Sequence, residues 1–177
     1  MSTEIEAKLK VESLQEVERK LNELGAEFLE EQLQKDYYFD DSTGSLFNSD
    51  RCLRLRRQAT AGDEKIVLTY KGAKETGNFK KRRELEIEVS DADSADQLLS
   101  ALGYKKALVV EKKRRLWRLG GCSIGLDELP LLGSFIEIEG PDDETITDVQ
   151  SSLGVAALPH IMESYAHLVA EKQKSGL

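Results

Sequence analysis

The sequence predicts an α+β fold: an eight-stranded antiparallel β-barrel, or tunnel, with helices packed around it. Three observations support this prediction. Eight segments alternate apolar and polar residues with a period of two, which is typical of strands with one buried face. Six of these segments carry charged side chains opposite the apolar row. Eight strands are also about the number at which a closed barrel can hold a small ligand.

The alternating segments and the helical periodicity give the expected elements in chain order. Strands are predicted near residues 3–11, 33–41, 51–58, 65–71, 79–90, 108–118, 122–128 and 134–140. Three helices are predicted from a serine or threonine cap to a glycine stop, near residues 13–25, 94–103 and 145–154. A fourth is predicted after Pro159, and its polar end, residues 172–177, is expected to fray.

Length and composition narrow the class of protein. The 177 residues, 40% hydrophobic and 33% charged, predict a single globular domain over residues 1–177. A net charge of −8 disfavours nucleic acid as a partner. No apolar run approaches the ~20 residues that span a bilayer, and the acidic N-terminus is unlike a signal peptide, so we expect no membrane partner and a cytoplasmic location. The sequence does not determine the oligomeric state, although a homodimer is compatible with it.

The charged faces separate by sign along the chain. Carboxylates concentrate on the first, fifth and eighth strands, whereas basic groups concentrate on the third, fourth and sixth. On an open sheet such faces would simply meet water. In a closed barrel they would share one interior, where charges need partners. Arginine and lysine match phosphate oxygens, and carboxylates tolerate phosphate nearby only when a divalent cation such as Mg²⁺ or Mn²⁺ intervenes. The pattern therefore indicates a metal–triphosphate site built from side chains, since no glycine-rich phosphate loop is present.

Short motifs in the same order carry a family resemblance over nearly the whole chain. The segment Glu4-Ile5-Glu6-Ala7-Lys8 resembles the E-x-E-x-K signature of the CYTH superfamily, also called triphosphate tunnel metalloenzymes. Further similar segments begin at residues 34, 51, 68, 82, 112, 126 and 133. Members of this superfamily include class IV adenylyl cyclases, thiamine triphosphatases and inorganic triphosphatases.

The resemblance implies an eight-stranded tunnel with a triphosphate along its axis, and it implies roles by position. Phosphate oxygens would be bound by Lys8, Arg54, Arg56, Lys71, Arg82, Lys112 and Arg114. Magnesium or manganese would be held by Glu4, Glu6, Asp127, Glu137 and Glu139. The catalytic candidates are Glu84 and Glu86, which would support a metal, orient a basic residue or position water.

Three functions remain open at this point. The motifs look closest to class IV adenylyl cyclase-like proteins, which convert ATP to cyclic AMP and pyrophosphate. A triphosphatase acting on tripolyphosphate, a nucleoside triphosphate or thiamine triphosphate is the second hypothesis. The third is a non-catalytic module that binds a nucleotide or polyphosphate. The same tunnel would serve all three, because they differ in where the nucleophile sits and whether one is present at all.

Overall fold

The computed structural model describes residues 2–176 and contains a closed eight-stranded antiparallel barrel, which confirms the predicted fold class. Its strands are β1 Ser2–Val11, β2 Glu27–Asp40, β3 Cys52–Ala59, β4 Glu64–Lys71, β5 Lys80–Glu88, β6 Lys105–Leu119, β7 Cys122–Leu129 and β8 Gly133–Glu139. Their order around the barrel is β1-β5-β4-β3-β2-β6-β7-β8, and β8 pairs again with β1. The N-terminal strand therefore closes the ring.

Five helices accompany the barrel: α1 Leu14–Glu23, α2 Ser45–Asn48, α3 Ala92–Ala101, α4 Asp143–Leu153 and α5 Tyr165–Lys174. Serine or aspartate caps α1, α3, α4 and α5 by accepting a backbone N–H from the first turn. The C-terminal cap of α4 is Gly154. Its φ of 73° lies in the left-handed region, which glycine adopts readily. None of the described helices is long and apolar enough to span a bilayer.

The main apolar core lies outside the barrel wall, between the strands and the helices. On β1 the side chains of Ala7 and Leu9 point outward and are buried, and so are Ile136 and Ile138 on β8. Helices α1 and α4 cover this surface with residues such as Leu21. Because successive strand residues point to opposite faces, the alternate residues of the same strands must point into the barrel.

The structure corrects several predicted helix boundaries. Asp91 caps α3, where Ser94 was expected, and Asp142 caps α4, where Thr145 was expected; each predicted cap instead donates its backbone N–H to the aspartate. In α3 only Leu99 is buried, whereas Leu98 and Leu102 are exposed. The cap prediction failed because serine, threonine and aspartate compete for the same position, and each aspartate lies three residues upstream.

The last predicted helix begins later than expected, at Tyr165 after the Ser164 cap. The intervening chain is extended because His160 forms a β-bridge with Leu9 and the backbone N–H of Ile161 donates to Lys8 O. The helix then continues to Lys174, so residues 172–174 are helical, and the expected fraying of this end stays a prediction. Leu177 lies outside the described residues.

Two further differences concern β2 and the segment after it. Strand β2 begins at Glu27, six residues before the expected start. The sequence pattern missed this first part because a register shift between Phe28 and Glu30 interrupts the alternation of apolar and polar residues. Helix α2 was not predicted, since four residues are too few to show helical periodicity.

Candidate functional site

The inward-facing residues of the barrel enclose a cavity of about 320 Å³ that is lined almost entirely by charged side chains. Eight basic and seven acidic residues contribute to it. The cavity contains every basic residue predicted to bind phosphate, both catalytic candidates, and four of the five predicted metal ligands: Lys8, Arg54, Arg56, Lys71, Arg82, Lys112, Arg114, Glu84, Glu86, Glu4, Glu6, Glu137 and Glu139. The fifth predicted ligand, Asp127, is fully buried and is not in the lining.

Strand order explains why the carboxylates gather on one side. Strands β8, β1 and β5 are neighbours in the ring, although they are far apart in sequence. All six glutamates of the lining belong to these three strands, whereas five of the eight basic residues belong to β3, β4 and β6. The separation by sign along the sequence is therefore a separation between two walls of one cavity.

The deepest part of the site is a cluster of Lys8, Lys112, Arg114, Asp127 and Glu137, called here the buried cluster. Arg114 donates to both oxygens of Asp127, with Nε–Oδ1 at 2.6 Å and Nη2–Oδ2 at 2.5 Å, and also to Glu137. Lys112 Nζ lies 3.0 Å from Asp127 Oδ2, and Lys8 Nζ lies 3.3 Å from Glu137. Each charge in the buried cluster therefore has an opposite charge in contact, as buried charges require.

Burial and neighbouring charges lower the pKa values of Lys8, Lys112 and Glu137 in this cluster. Burial lowers the pKa of Lys8 to about 8, helped by the nearby Lys80 ammonium. Burial also lowers the pKa of Lys112 to about 8, with Arg114 as the next contribution. For Glu137 burial works the other way, but Lys112, Lys8 and Arg114 hold its pKa well below the usual range. The carboxylate is therefore ionised at neutral pH, while the two lysines lose their protons more readily than exposed lysines do.

Tyr165, the first residue of α5, is buried and lines the cavity beside the buried cluster. Its hydroxyl donates to Asp127 Oδ2 at 2.9 Å. The ammonium groups of Lys8 and Lys112 lie 3.9 and 4.7 Å from its ring centroid, which is cation–π distance. Helix α5 thus fixes the orientation of two predicted phosphate-binding residues. The sequence pattern predicted no role for Tyr165.

On the opposite wall, Asp36 of β2 organises two arginines of β3. Arg56 donates to Asp36 through Nε and Nη2, at 2.6 and 2.8 Å, and Arg54 Nη1 lies 3.8 Å away. Burial opposes ionisation of Asp36, but Arg56 and Arg54 hold its pKa well below the usual range. Arg54 Nε is buried without a hydrogen-bond partner among the described residues. A donor remains available there for an incoming oxygen.

Lys80 and Asp50 are two functional candidates that the predicted site left out. Lys80 forms a buried ion pair with Glu6 and lines the cavity. Asp50, in the loop before β3, accepts from Arg82 Nη2 at 2.7 Å and from the backbone N–H of Lys74 at 2.9 Å. Inward parity on β5 could have identified Lys80. Asp50 lies in a loop, where strand parity gives no information.

Gly125 of β7 creates the space that Arg114 occupies. A Cβ at this position would lie 2.8 Å from Arg114 Cζ, which is closer than real Cβ contacts. Gly125 is directly opposite Glu137 in the β7–β8 register. Its missing side chain lets the guanidinium reach Asp127 and Glu137 together, a requirement that the sequence pattern did not reveal.

The more open part of the cavity holds Glu4, Glu84, Glu86 and Glu139, called here the mouth cluster. Lys71 contacts Glu4 and lies 3.5 Å from Glu84, while Glu86 accepts from Thr69 at 3.2 Å. Within residues 2–176, no cation lies within ion-pair distance of Glu139. Partial removal from water and the nearby Glu4 carboxylate raise the pKa of Glu139 to about 7. Among the described residues, the four carboxylates of the mouth cluster therefore have fewer cationic partners than charges to neutralise.

The donor set of the mouth cluster fits a hard divalent cation. Carboxylate oxygens are the ligands that Mg²⁺ and Mn²⁺ prefer, and a cation would relieve the mutual repulsion that raises the pKa of Glu139. In residues 2–176 no three His, Cys, Asp or Glu side chains already lie close enough to form a complete metal site. Metal binding would therefore require Glu4 to turn away from Lys71.

Comparison with known proteins identifies the family. The model of the CYTH domain matches residues 2–154. The chain belongs to the CYTH family. Among curated relatives, a protein of Methanocaldococcus jannaschii named provisionally as an adenylate cyclase is 29% identical over 146 residues, covering 82% of this chain and 79% of the relative. Adenylate cyclase CyaB of Aeromonas hydrophila is 27% identical over 149 residues, covering 79% and 74%.

Solved CYTH-like structures match the barrel closely. The PH1819 protein of Pyrococcus horikoshii superposes with a TM-score of 0.84 at 31% identity, covering 96% of this chain and 99% of that one. A Hippeastrum protein, first assigned as an adenylyl cyclase and described as having a dominant triphosphatase activity, shares the fold with a TM-score of 0.71 at 19% identity, covering 98% and 97%. These solved structures therefore share the fold of this chain.

Proposed function

We propose that the protein is a divalent-metal-dependent enzyme that acts on a triphosphate bound inside the barrel. One observation carries the proposal: a wall of glutamates and a wall of basic side chains face each other across one cavity. A triphosphate supplies the anionic oxygens that Arg54, Arg56 and Lys112 match. Magnesium or manganese at the mouth cluster would neutralise the charge that accumulates on the phosphate oxygens.

The reaction we favour is conversion of ATP to cyclic AMP and pyrophosphate. The names of the two curated relatives support this choice, and so does the resemblance of the Glu4–Lys8 and Leu68–Gly72 motifs to class IV adenylyl cyclases. The residues of the chain would bind the phosphates and hold them in line. In this reading the ribose 3′-hydroxyl is the nucleophile and pyrophosphate leaves.

A triphosphatase is the second candidate. The basic side chains of the charged cavity would bind phosphate groups whatever the rest of the substrate, and a Hippeastrum protein of the same fold is described as having a dominant triphosphatase activity. In that reaction a water molecule attacks the terminal phosphorus and orthophosphate leaves. Glu86 would orient such a water, since Thr69 is its one hydrogen-bond partner among the described residues.

Product analysis separates these candidates. The purified protein is incubated with ATP, tripolyphosphate or thiamine triphosphate, each with Mg²⁺ or Mn²⁺. Cyclic AMP with pyrophosphate supports the cyclase, whereas orthophosphate without a cyclic product supports the triphosphatase and rejects the cyclase. Tight binding without turnover would indicate a binding module and contradict the proposed enzyme.

The cytoplasmic location remains a prediction.

A double substitution tests the metal assignment. Glu4→Gln with Glu139→Gln should lower metal-dependent turnover about 100-fold or more, because the mouth cluster would lose two anionic ligands. Glu6 is unsuitable for this test because its replacement would leave buried Lys80 without its partner. The matched control is Glu111→Gln, which removes an exposed carboxylate that pairs with Lys35. Wild-type turnover in the double variant would contradict the metal site at the mouth.

A further inference from the structure

Arg82 lines the charged cavity, but its carboxylate partner comes from a loop and not from the barrel. Arg56, Arg114 and Lys80 each pair with a carboxylate on a neighbouring strand. Arg82 instead donates through Nη2 to Asp50 Oδ1 at 2.7 Å, and Asp50 lies between α2 and β3. The Arg82 side chain is buried. The direction of this guanidinium in the cavity therefore depends on where the loop places one carboxylate.

The backbone of the loop fixes Asp50 in an unusual conformation. Its φ of 54° lies in the left-handed region, and among residues 2–176 it is the one residue other than glycine with a positive φ. Aspartate and asparagine adopt this region more readily than other side chains. The backbone N–H of Asp50 donates to Phe47 O at 3.1 Å, and that of Arg51 donates to Leu46 O at 2.8 Å. The end of α2 therefore determines where the carboxylate lies.

The same carboxylate also contacts the connection between β4 and β5. Asp50 Oδ2 accepts the backbone N–H of Lys74 at 2.9 Å, and Oδ1 lies 2.9 Å from Lys74 Nζ. The connection itself is held against β5, because the backbone N–H groups of Gly72 and Glu75 donate to carbonyls of that strand, both at 2.9 Å. Asp50 thus has partners in both halves of one hairpin, Lys74 in the connection and Arg82 in the strand.

The contacts of Asp50 leave part of Arg82 available to a ligand. Burial opposes ionisation of Asp50, but the backbone N–H and ammonium of Lys74, followed by Arg82, lower its pKa. The carboxylate is therefore ionised at neutral pH, and two cations share it. Asp36 engages both Nε and Nη2 of Arg56, whereas Asp50 engages Nη2 of Arg82 and leaves Nε without a partner among the described residues. An unpartnered buried donor of this kind can bind an incoming oxygen.

We infer that Asp50 is a positioning residue: it holds the Arg82 guanidinium through Nη2 so that Nε meets a phosphate oxygen of the substrate. The inference rests on the proposed function and adds to it a loop residue that acts through Arg82. Charge alone predicts the opposite effect, because a carboxylate near the cavity repels phosphate and its removal should strengthen binding. Loss of positioning should weaken binding. The two effects therefore differ in sign.

Calorimetry with a non-hydrolysable ligand tests this inference. The probe is imidotriphosphate, an analogue of tripolyphosphate with NH bridges, in the presence of Mg²⁺, so that binding is measured without turnover. Asp50→Asn keeps the size of the side chain and tolerates the left-handed backbone. We expect Asp50→Asn to raise the Kd about fivefold, because the charge-assisted hydrogen bond from Arg82 would no longer be held in place.

Two further comparisons separate positioning from a general effect on the loop. Arg82→Gln should raise the Kd about tenfold, and adding Asp50→Asn to it should cause no further increase, because Asp50 acts through Arg82. The matched control is Asp41→Asn. Asp41 lies in the same segment and accepts from Thr43 and Ser45 without contacting Arg82, so its replacement should leave the Kd within about twofold of the wild type.

Nuclear magnetic resonance provides a readout that a merely structural role would not change. The Arg82 Nε–H resonance is assigned by its absence in Arg82→Gln. In the wild type this resonance should shift when imidotriphosphate saturates the protein. In Asp50→Asn at the same saturation it should shift much less, because the guanidinium is no longer directed at the phosphate. An equal shift in both proteins would contradict positioning by Asp50.

The outcomes distinguish this inference from the proposed function. Unchanged or tighter binding in Asp50→Asn, equal weakening in Asp41→Asn, or a full further loss in the Arg82→Gln background would overturn the inference while the proposed function stands. A wild type that binds the analogue but turns over no triphosphate contradicts the proposed enzyme, and the variants still decide the role of Asp50. If the wild type binds neither imidotriphosphate nor ATP, both proposals fail.

Discussion

The buried cluster and the mouth cluster both contain carboxylates, but these carboxylates are in different electrostatic states. In the buried cluster Asp127 is in contact with Lys112, Arg114 and Tyr165, and no water-accessible surface remains on it. In the mouth cluster Glu139 has no cationic partner among residues 2–176, and burial together with Glu4 raises its pKa to about 7. The difference indicates that folding itself balances the charges of the buried cluster, whereas Glu139 in the mouth cluster is left without a cationic partner among the described residues; under the proposed function a divalent cation would supply that charge.

The largest expected effect tests the buried cluster. Asp127→Asn would leave Lys112 and Arg114 sharing one carboxylate, so we expect a loss of about 3–5 kcal/mol in the free energy of unfolding, the usual cost of breaking a buried ion pair. Glu84→Gln in the mouth cluster should cost less than about 1 kcal/mol, because solvent still reaches that carboxylate. Urea denaturation of both variants measures the contrast, and equal losses would abolish the distinction between the clusters.

A smaller effect concerns the two buried lysines and pH. Lys8 and Lys112 have pKa values of about 8, and only their protonated forms attract phosphate. ATP is already fully ionised at this pH, since the second phosphate pKa is near 6. Binding of ATP in the presence of a chelator should therefore weaken as pH rises above 8, by up to about tenfold per pH unit for each lysine. Calorimetric titrations on either side of pH 8 measure this.

The control for the pH experiment is Lys112→Arg, because a guanidinium stays protonated throughout this range. Its affinity should fall less steeply above pH 8 than that of the wild type. An identical slope would mean that Lys112 does not contact the phosphates, and a flat wild-type profile would remove both lysines from the binding site.

The smallest expected effect tests the mouth. The pKa of Glu139 is raised in the folded state, so the fold loses stability as pH rises from about 4.5 to about 7, and this loss is complete above about pH 7. In metal-free buffer, Glu139→Gln should raise the melting temperature above pH 7 and leave it unchanged below pH 4.5. Glu128→Gln, an exposed carboxylate elsewhere on the barrel, should change neither value. A stabilisation that does not depend on pH would show that packing, and not charge, is responsible.

Strand parity predicted which side chains share the charged face, and the family resemblance implied the closed tunnel and the roles of its residues. The alternation of Glu4, Glu6 and Lys8 with Ile5, Ala7 and Leu9 determines which side chains share a face, and closure of the sheet turns that face inward. Parity could not show which inward charges pair with one another, because pairing depends on strand order. Asp127 was therefore predicted to hold a metal, a role that remains a prediction, although its contacts favour positioning of Lys112 and Arg114.

Features that depend on loops or on empty space were not predictable. Asp50 lies between strands, where neither period two nor a helical period applies. Gly125 acts through a side chain that it lacks, and the sequence shows only a glycine within a strand. The start of β2 was missed because the bulge near Glu30 interrupts alternation, although the strand itself continues.

The closing position of β1 has a consequence for the dynamics of the protein. β1 is hydrogen-bonded to β5 on one edge and to β8 on the other, with partners as far apart in sequence as Ser2–Glu84 and Val11–Ser134. No partly folded chain that lacks this strand has both walls of the cavity. Opening the ring at any seam would therefore release a bound triphosphate, and occupancy should slow amide hydrogen exchange around the whole circumference and not only beside the ligand.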